Sequence, residues 1–363
     1  MQYQDGEPVL LSAIEKQGIE ALSFPDFMSK ALQFCLDWKH GQKEFELFTS
    51  GSTGKPKRLS VTRRQMESSA RQTINALSLK RRDTALVCLN PEYVAGVMML
   101  VRSLEAGMNI VFVSPSSNPF EGLSTPVDFA ALVPMQAETI LRSADREKLN
   151  RQKAVIIGGA PVSFALEEAI QGISSPVFAT YGMTETLSHI ALKRLNGSGR
   201  SPYFEVLGNT RIRTDERGCL AVCSAVTCSQ WIQTNDIVER AGEDRFIWKG
   251  RADFVINSGG VKVHPEEVEA RVQEEAGLRG WKIRFAVVGL PDESLGEKAV
   301  LLVEDISFTE KKFRELLDLL SKRLNRYKLP KEFYVFSEFP ETPTGKLKRR
   351  ELKERLLKGK MQG

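Results

Sequence analysis

A glycine- and hydroxyl-rich stretch near the start of the chain has the composition of an anion-binding loop. It covers residues 48–65 and reads FTSGSTGKPKRLSVTRRQ. Glycines allow backbone N–H groups to face a ligand, Ser and Thr hydroxyls donate further hydrogen bonds, and Lys57 adds positive charge. A Walker loop requires G-x-x-x-x-G-K-[ST], whereas Gly51 and Gly54 are only three positions apart. The stretch therefore predicts a phosphate-binding loop of another kind, although alone it would fit a solvated turn better.

Four later segments accompany this loop in a fixed order. They are GGAP (158–161), TYGMTET (180–186), TND (234–236) with GRADFVINSGG (250–260), and PTGKLKRREL (343–352). Together with TSGSTGKPK (49–57), they resemble the motifs of the adenylate-forming enzymes, the superfamily of acyl-CoA synthetases, luciferases and nonribosomal peptide adenylation domains. One such motif is weak evidence, whereas five in register over roughly residues 45–352 are a specific match.

The resemblance implies an ATP site. The 49–57 loop would hold the β- and γ-phosphates, Tyr181 would stack on adenine, and Asp236 would accept both ribose hydroxyls. The ATP-binding residues that the resemblance implies are Thr49, Ser50, Gly51, Ser52, Thr53, Gly54, Lys57, Gly159, Ala160, Pro161, Tyr181, Gly182, Met183, Thr184, Asp236, Arg251 and Lys346.

The resemblance also implies the groups that act on the reacting atoms. Thr184 would donate to the α-phosphate, Glu185 would hold Mg²⁺ through oxygen, as a hard cation prefers, and Lys346 would be the catalytic lysine. Lys346, Thr184 and Glu185 are thus the catalytic candidates, with Glu185 as the metal ligand and with ATP, Mg²⁺ and coenzyme A as cofactors. Outside the motifs, Thr184 and Glu185 would indicate only the start of a helix, and Lys346 a solvated side chain.

The segment after TND would serve thioester formation. In the family a small C-terminal domain swings between the two half-reactions, and Asp253 matches the hinge position. The swing would bring in a tunnel for coenzyme A, formed by Ser258, Gly259, Gly260 and Lys262. TND replaces the usual T-G-D. Because Asn adopts left-handed backbone more readily than most residues, we expect the turn to survive with Asn235 in that conformation.

Alternating helical and strand patterns would position these residues. ALVCL (85–89), NIVFVS (109–114), KAVIIGG (153–159) and PVFATYG (176–182) predict buried strands, with helices at 94–107 and 163–172 between them. We expect an α/β fold. A large N-terminal domain (1–251) would contain a parallel sheet and a small β element near 204–250. A small mobile α+β domain (253–363) would carry the catalytic lysine and end in a basic amphipathic helix.

Composition excludes several other classes of protein. The 363 residues suffice for two domains, and a net charge of +5 is too small to indicate a nucleic-acid partner. No apolar run is long enough for membrane insertion, and the first residues do not resemble a secretory signal, so we expect a cytoplasmic protein. The five scattered cysteines predict buried apolar residues, not disulfides or a metal site. A homodimer is left open.

The compact o-succinylbenzoate–CoA ligases of menaquinone biosynthesis are the branch that the chain resembles most. Only 47 residues precede Phe48, and YGMTETLSHIALKRLNG (181–197) is similar to that branch. Their substrate is an aromatic acid with two carboxylates, for which a basic or hydroxyl-rich pocket is suited. The acyl-pocket candidates are Tyr93, which replaces a histidine of many such ligases, Gly158, Ser188 and His189. Ser188 and His189 would almost equally fit polar residues at the end of a strand and turn, with no role in the acyl pocket.

Two other functions stay open at this point. Another acyl- or aryl-CoA ligase, or an adenylation module that loads a carrier protein, would keep all five motifs and differ in the pocket. A catalytically idle nucleotide-binding interaction protein is the more remote alternative, because it would have no reason to keep Lys346, Glu185 and Asp236 together. We expect a ligase that adenylates a carboxylic acid, with o-succinylbenzoate as the acid, and transfers the acyl group to coenzyme A.

Overall fold

The computed structural model describes residues 1–4, 6, 9–19, 24–49, 57–341 and 347–360, with the backbone alone at Thr49, Lys57, Gly359 and Lys360. The strands of this part are β1 Gln2–Tyr3, β2 Glu44–Thr49, β3 Lys57–Thr62, β4 Thr84–Val87, β5 Asn109–Phe112, β6 Phe129–Leu132, β7 Ala154–Ile157, β8 Val177–Gly182, β9 His189–Arg194, β10 Phe204–Val206, β11 Arg211–Thr214, β12 Cys219–Cys223, β13 Ile232–Arg240, β14 Arg245–Arg251, β15 Ile256–Ser258, β16 Val261–Val263, β17 Phe285–Asp292, β18 Gly296–Val303 and β19 Glu332–Val335. Its α-helices are α1 Leu11–Gln17, α2 Asp26–Lys39, α3 Arg63–Ala76, α4 Val94–Ala106, α5 Pro134–Leu141, α6 Arg146–Leu149, α7 Phe164–Ile170, α8 Pro265–Leu278, α9 Glu310–Ser321 and α10 Arg349–Lys360.

The larger sheet follows the order β1-β5-β4-β6-β7-β8-β9-β10-β14-β13-β12-β11. Pairing is parallel from β1 to β8 and antiparallel from β8 onward. The predicted α/β core with parallel strands is confirmed. The strands expected near 204–250 are also present, and they extend this same sheet. The switch of direction at β8 and β9 places the end of β8, with Tyr181 and Gly182, beside the start of β9.

A second, smaller sheet contains β16, β15, β18, β17 and β19. Its apolar clusters draw only on residues from Ile256 onward, whereas the clusters on the larger sheet end at Trp248. The basic C-terminal helix α10 buries Leu352 and Leu356 against β17 and β18, as its amphipathic pattern predicts. The domain limits at 251 and 253 and the mobility of the second domain stay predictions.

Helix α4 is the most enclosed helix segment near the predicted site. Its sequence, VAGVMMLVRSLEA, is buried from Gly96 to Ser103, and it ends at Gly107, whose left-handed backbone is easily adopted by glycine. The burial of Val97 to Val101 is expected for an apolar run next to a sheet. Arg102 lies in the same buried stretch, and it is the one ionisable residue there.

Two general expectations can be compared with the described residues. Cys35, Cys88, Cys219 and Cys223 are buried free thiols, as predicted, whereas Cys228 is exposed because it follows β12 on a surface turn. No cluster of three or more His, Cys, Asp or Glu suited to a metal occurs in the described ranges. A search of the same residues finds no helix with the length and apolar character needed to span a bilayer.

Candidate functional site

The end of β8 brings the TYGMTET motif against the next strand. Gly182 pairs with His189 across a β-bulge. A Cβ added to Gly182 would lie 2.4 Å from the Ser188 carbonyl oxygen and 2.6 Å from the His189 Cα, so only glycine fits. The ring of Tyr181 packs edge-on against Phe246, with centroids 5.1 Å apart. The predicted stacking residue is therefore held rigidly at the strand end.

A 3₁₀ turn from Thr184 to Thr186 leaves the first two side chains exposed. Thr186 is buried and fixes the turn, because its hydroxyl accepts the Met183 N–H at 3.0 Å and lies 2.9 Å from the Ser188 carbonyl oxygen. Leu187 then takes a positive φ of 61°, which is costly for a branched residue and reverses the chain toward β9. The motif predicted a role for Thr184 but not the role of Thr186 in fixing the turn.

A single carboxylate would hold the metal at this turn. Glu185 is exposed and lies beside Thr184, which the resemblance assigns to the α-phosphate. Mg²⁺ typically takes one or two protein carboxylates and completes its octahedron with phosphate oxygens and water. An isolated Glu185 thus fits an ion that arrives with the nucleotide phosphates, and it does not fit a permanent protein cage.

Asp236 receives hydrogen-bond donors on both of its oxygens. The Tyr181 hydroxyl donates to Oδ2 at 2.8 Å, and the Trp248 indole N–H donates to Oδ1 at 3.2 Å. The Arg251 guanidinium lies 3.6 Å from Oδ1. Burial and the neighbouring Asp236 charge raise the pKa of Tyr181 above its ordinary value, so this hydroxyl remains a donor at neutral pH. The predicted ribose ligand, stacking residue and arginine thus lie together, and Trp248 is an addition that the motif did not reveal.

The expected left-handed backbone at Asn235 is wrong. Asn235 lies inside β13, and it is not among the described residues with positive φ. The physical reason is that β13 continues in extended pairing with β14, where Asp236 faces Arg251. The Asn235 side chain instead donates to Asp253 Oδ1 at 2.9 Å, while Arg251 donates to Asp253 Oδ2 at 2.5 Å. Asn235, which stands where the family's T-G-D motif has glycine, therefore forms a hydrogen bond with Asp253, the predicted hinge residue.

Arg102 is a buried cation beside two acyl-pocket candidates. Its side chain donates to Ser188 Oγ at 2.6 Å and to Thr73 Oγ1 at 3.3 Å, and the residue is 2% exposed. Burial lowers its pKa to about 10, and no carboxylate of the described ranges forms an ion pair with it. His189 Nε2 lies 2.9 Å from the same Thr73 hydroxyl. Burial, with a smaller contribution from Arg102, lowers the pKa of His189 well below its usual value. The imidazole is therefore neutral.

Arg102 and Thr73 were not among the residues predicted from the sequence. An arginine within the apolar run VMMLVRSL was the available signal, since a charge in a buried helix requires a partner. Thr73 gave no signal in the sequence, because a threonine on an amphipathic helix is common.

The remaining acyl and nucleotide candidates lie at strand ends. Tyr93 directly precedes α4 as its N-cap residue, and its backbone forms an isolated β-bridge with Phe48 of β2. Gly158 follows β7, and a Cβ there would lie 2.3 Å from the Thr180 hydroxyl oxygen, which explains the glycine. Gly159 and Pro161 are exposed and Ala160 is half-buried, so this loop is accessible to a ligand. No contact in the described residues joins Tyr93 to Arg102.

The predicted coenzyme A tunnel residues form a hairpin of the smaller sheet. Gly259 and Gly260 make its turn with positive φ, Ser258 is buried, and Lys262 is exposed. Among the described residues, no hydrogen bond joins this hairpin to Tyr181 or Asp236.

Part of the prediction falls outside the described residues. This applies to Ser50, Gly51, Ser52, Thr53, Gly54 and Lys346. The backbones of Thr49 and Lys57 do pair across β2 and β3, so the two ends of the phosphate loop are adjacent. The side-chain roles of Thr49 and Lys57 stay predictions.

Comparison with known proteins gives a consistent result. Residues 45–213 match the model of a family described as AMP-binding enzyme. A solved acyl-CoA synthetase (AMP-forming)/AMP-acid ligase II-like protein from Dyadobacter fermentans is 40% identical, over 93% of this chain and 97% of that protein, with a TM-score of 0.63. The 2-succinylbenzoate–CoA ligase of Listeria monocytogenes is 27% identical, over 88% of this chain and 71% of its own length.

One further structure supports the fold alone. The O-succinylbenzoate coenzyme A synthetase of Bacillus subtilis, solved with ATP and magnesium ion, is 24% identical over 85% of this chain and 69% of that chain, with a TM-score of 0.68. The identity and mutual coverage of the Dyadobacter protein decide the family. The chain belongs to the AMP-binding enzymes, as an AMP-forming acyl-CoA synthetase.

Proposed function

We propose that this chain is a ligase that adenylates an aromatic carboxylic acid bearing a second carboxylate, o-succinylbenzoate, and transfers the acyl group to coenzyme A. The family supplies the reaction class, and the relatives named for this acid make it the first substrate to test. The structural observation that carries the choice of a dicarboxylic acid is the environment of Arg102.

A buried guanidinium without an anionic partner is costly, because its desolvation is not offset by an opposite charge. Within the described ranges, Arg102 donates hydrogen bonds only to neutral groups, those of Ser188, Thr73 and Met99. A carboxylate of the substrate would supply the missing charge and could accept two parallel N–H bonds from the guanidinium. A simple fatty acid or benzoate has only the carboxylate that reacts, so it would leave Arg102 unpaired.

The first half-reaction then proceeds at the other carboxylate. One of its oxygens attacks the α-phosphorus of ATP, the bond from that phosphorus to the bridging oxygen breaks, and pyrophosphate leaves with the electron pair. Asp236, through the ribose, and Tyr181, through the adenine, would hold the nucleotide in line for this displacement. Mg²⁺ beside Glu185 would neutralise phosphate charge, and Lys346 and Thr184 would stabilise the oxygens around the α-phosphorus.

The second half-reaction consumes the adenylate. The sulfur of coenzyme A attacks the acyl carbonyl carbon, the thiol proton is released, and AMP departs as the leaving group. Ser258, Gly259, Gly260 and Lys262 would line the path of the thiol after rotation at Asp253. This rotation is a hinge movement in which few residues absorb the backbone change.

A pyrophosphate-release assay with a panel of acids tests the proposal. The panel contains o-succinylbenzoate, benzoate, a phenyl-substituted keto acid without the second carboxylate, and a long-chain fatty acid, each with and without coenzyme A. We expect release with o-succinylbenzoate and a thioester product only when coenzyme A is present. Efficient use of the monocarboxylic acids alone would refute the assigned substrate, and release without thioester would favour a carrier protein as the acceptor.

A further inference from the structure

Two neutral hydrogen-bond donors, from Tyr181 and Trp248, hold the Asp236 carboxylate in one orientation. A carboxylate has about four lone-pair positions, two on each oxygen. The Tyr181 hydroxyl occupies one position on Oδ2, and the Trp248 indole N–H occupies one on Oδ1. The Arg251 guanidinium lies 3.6 Å from Oδ1, which is too long for a hydrogen bond, so each oxygen keeps one position for a further donor. A vicinal diol presents two hydroxyl donors, which matches one remaining position on each oxygen.

The surrounding structure fixes both donors. Tyr181 is wedged between Phe204 and Phe246, at centroid distances of 5.8 and 5.1 Å. Trp248 lies on β14, and the neighbouring strand β13 carries Asp236. The backbone N–H of Asp236 donates to Thr234 Oγ1 at 3.0 Å, which fixes the main chain below the carboxylate. A rotation of the Asp236 side chain would break both side-chain bonds.

We propose that Trp248 and Tyr181 are positioning residues that preset the Asp236 carboxylate for a 2′,3′-diol, and so make the enzyme selective for ribonucleotides over deoxyribonucleotides. The inference rests on the proposed function, since it assumes that Asp236 is the ribose ligand. It adds that selectivity for the sugar depends on two residues that act through Asp236. In this role Tyr181 acts through its hydroxyl, separately from the stacking of its ring.

The test uses Trp248→Phe and Tyr181→Phe, which remove one donor each and keep an aromatic ring. Binding of AMP, 2′-deoxy-AMP and 3′-deoxy-AMP to the full chain is measured by calorimetry, together with the KM for ATP and for 2′-deoxy-ATP. In each variant we expect the ratio of the affinity for AMP to that for the deoxynucleotides to fall about tenfold. The reason is that a charge-assisted hydrogen bond that orients the carboxylate is lost. The kcat at saturating ATP should change much less than the KM.

Trp231→Phe is the matched control. This tryptophan is exposed directly before β13, its ring lies 4.2 Å from the Arg213 guanidinium, and it has no contact with Asp236 in the described residues. Its replacement should leave the ribose preference unchanged. In an Asp236→Asn background, Trp248→Phe should have little further effect, since coupled residues are not additive.

Three results would overturn the inference. They are equal weakening of ribo- and deoxyribonucleotides in both variants, full additivity with Asp236→Asn, and a wild-type protein that does not prefer the ribonucleotide. Failure of the proposed function is distinguishable. A wild-type protein that binds AMP with the expected preference but adenylates no acid would disprove the ligase activity and leave the positioning role intact.

Discussion

Arg102 differs from the other enclosed arginine of the described chain in its partners. Arg349 pairs with both oxygens of Glu269, at 2.6 and 2.8 Å, whereas the hydrogen-bond partners of Arg102 in the part of the chain that the structure describes are all neutral. Structural arginines in protein interiors are paired with carboxylates, and an unpaired one indicates an anion that is absent from the chain itself. The contrast within one molecule supports a substrate-binding role for Arg102.

Replacement of Arg102 by methionine should therefore separate activity from stability. We expect the KM for o-succinylbenzoate to rise by about 10- to 100-fold, since a buried charge pair with the substrate is lost. The unfolding temperature should stay equal or rise, because an apolar side chain of similar length removes an unpaired charge. Steady-state kinetics and calorimetry measure the two effects.

Arg349→Met serves as the control. It should lower the stability of the protein, since it leaves the Glu269 carboxylate without its ion pair. A similar loss of stability in Arg102→Met would indicate that Arg102 is a structural arginine.

Among single residues, those that belong to motifs could be predicted from the sequence, whereas those whose role depends on packing were missed. Tyr181, Asp236 and Arg251 were found because the motifs name them, and they lie together in the structure. Arg102 was missed although its place in an apolar run was a signal, whereas Trp248 was missed because its significance depends on the side chains that it meets across neighbouring strands. Such contacts arise from tertiary packing, which a single sequence does not encode in any local spacing.

Secondary-structure elements explain how the nucleotide site is linked to the predicted hinge. Strands β13 and β14 carry Asp236 and Arg251, and the chain leaves β14 directly into the 3₁₀ turn of Ala252–Phe254. Arg251 lies 3.6 Å from Asp236 and 2.5 Å from Asp253, so one guanidinium lies between the predicted ribose ligand and the predicted hinge carboxylate. Burial opposes its charge, but the two carboxylates outweigh this and raise the pKa of Arg251.

Asn235→Ala should loosen the hinge without unfolding the strand. The variant removes the 2.9 Å bond to Asp253 and leaves the Arg251 contact. We expect amide hydrogen exchange in peptides covering residues 252–256 to accelerate several-fold, while peptides from α3 remain unchanged. Mass spectrometry of the exchanged protein measures this. Unchanged exchange near the hinge would mean that the Asn235 side chain does not restrain it.

The element type was predictable where the apolar pattern was long, as in the helix predicted at 94–107, which is α4. The short strand β6 (Phe129–Leu132) was overlooked, because four apolar residues without flanking glycine do not distinguish a strand from a loop or helix. Asn235 shows the opposite error. The residue type favours a left-handed turn, but the pairing of β13 with β14 overrides that preference.

At the scale of the whole molecule, the two sheets meet through helix α8. The Phe164 N–H of α7 donates to the Gln273 side chain at 3.2 Å. The Glu266 carboxyl is buried against Gly250, where an added Cβ would lie 2.3 Å from its oxygen. Burial raises the pKa of Glu266. These two contacts are polar, which is compatible with the predicted movement of the second domain, and that movement stays a prediction.

Lys346→Ala should impair one half-reaction only. The lysine would act at the α-phosphate during adenylation, so its loss should slow adenylate formation by about 10²–10³. Conversion of synthetic acyl-adenylate and coenzyme A to thioester should continue at nearly the wild-type rate. Single-turnover experiments on each half-reaction measure the difference, with Lys348→Ala as a neighbouring control. Equal impairment of both halves would contradict a role restricted to adenylation.

Oxygen transfer from the acid to AMP is the most direct test of the central claim. The protein is incubated with ATP, Mg²⁺, coenzyme A and o-succinylbenzoate whose carboxylates carry heavy oxygen, and the nucleotide product is examined by mass spectrometry. Attack of the carboxylate on the α-phosphorus must leave one labelled oxygen in AMP and none in pyrophosphate. Label in pyrophosphate or inorganic phosphate, or thioester formation with unlabelled AMP, would contradict an adenylate intermediate.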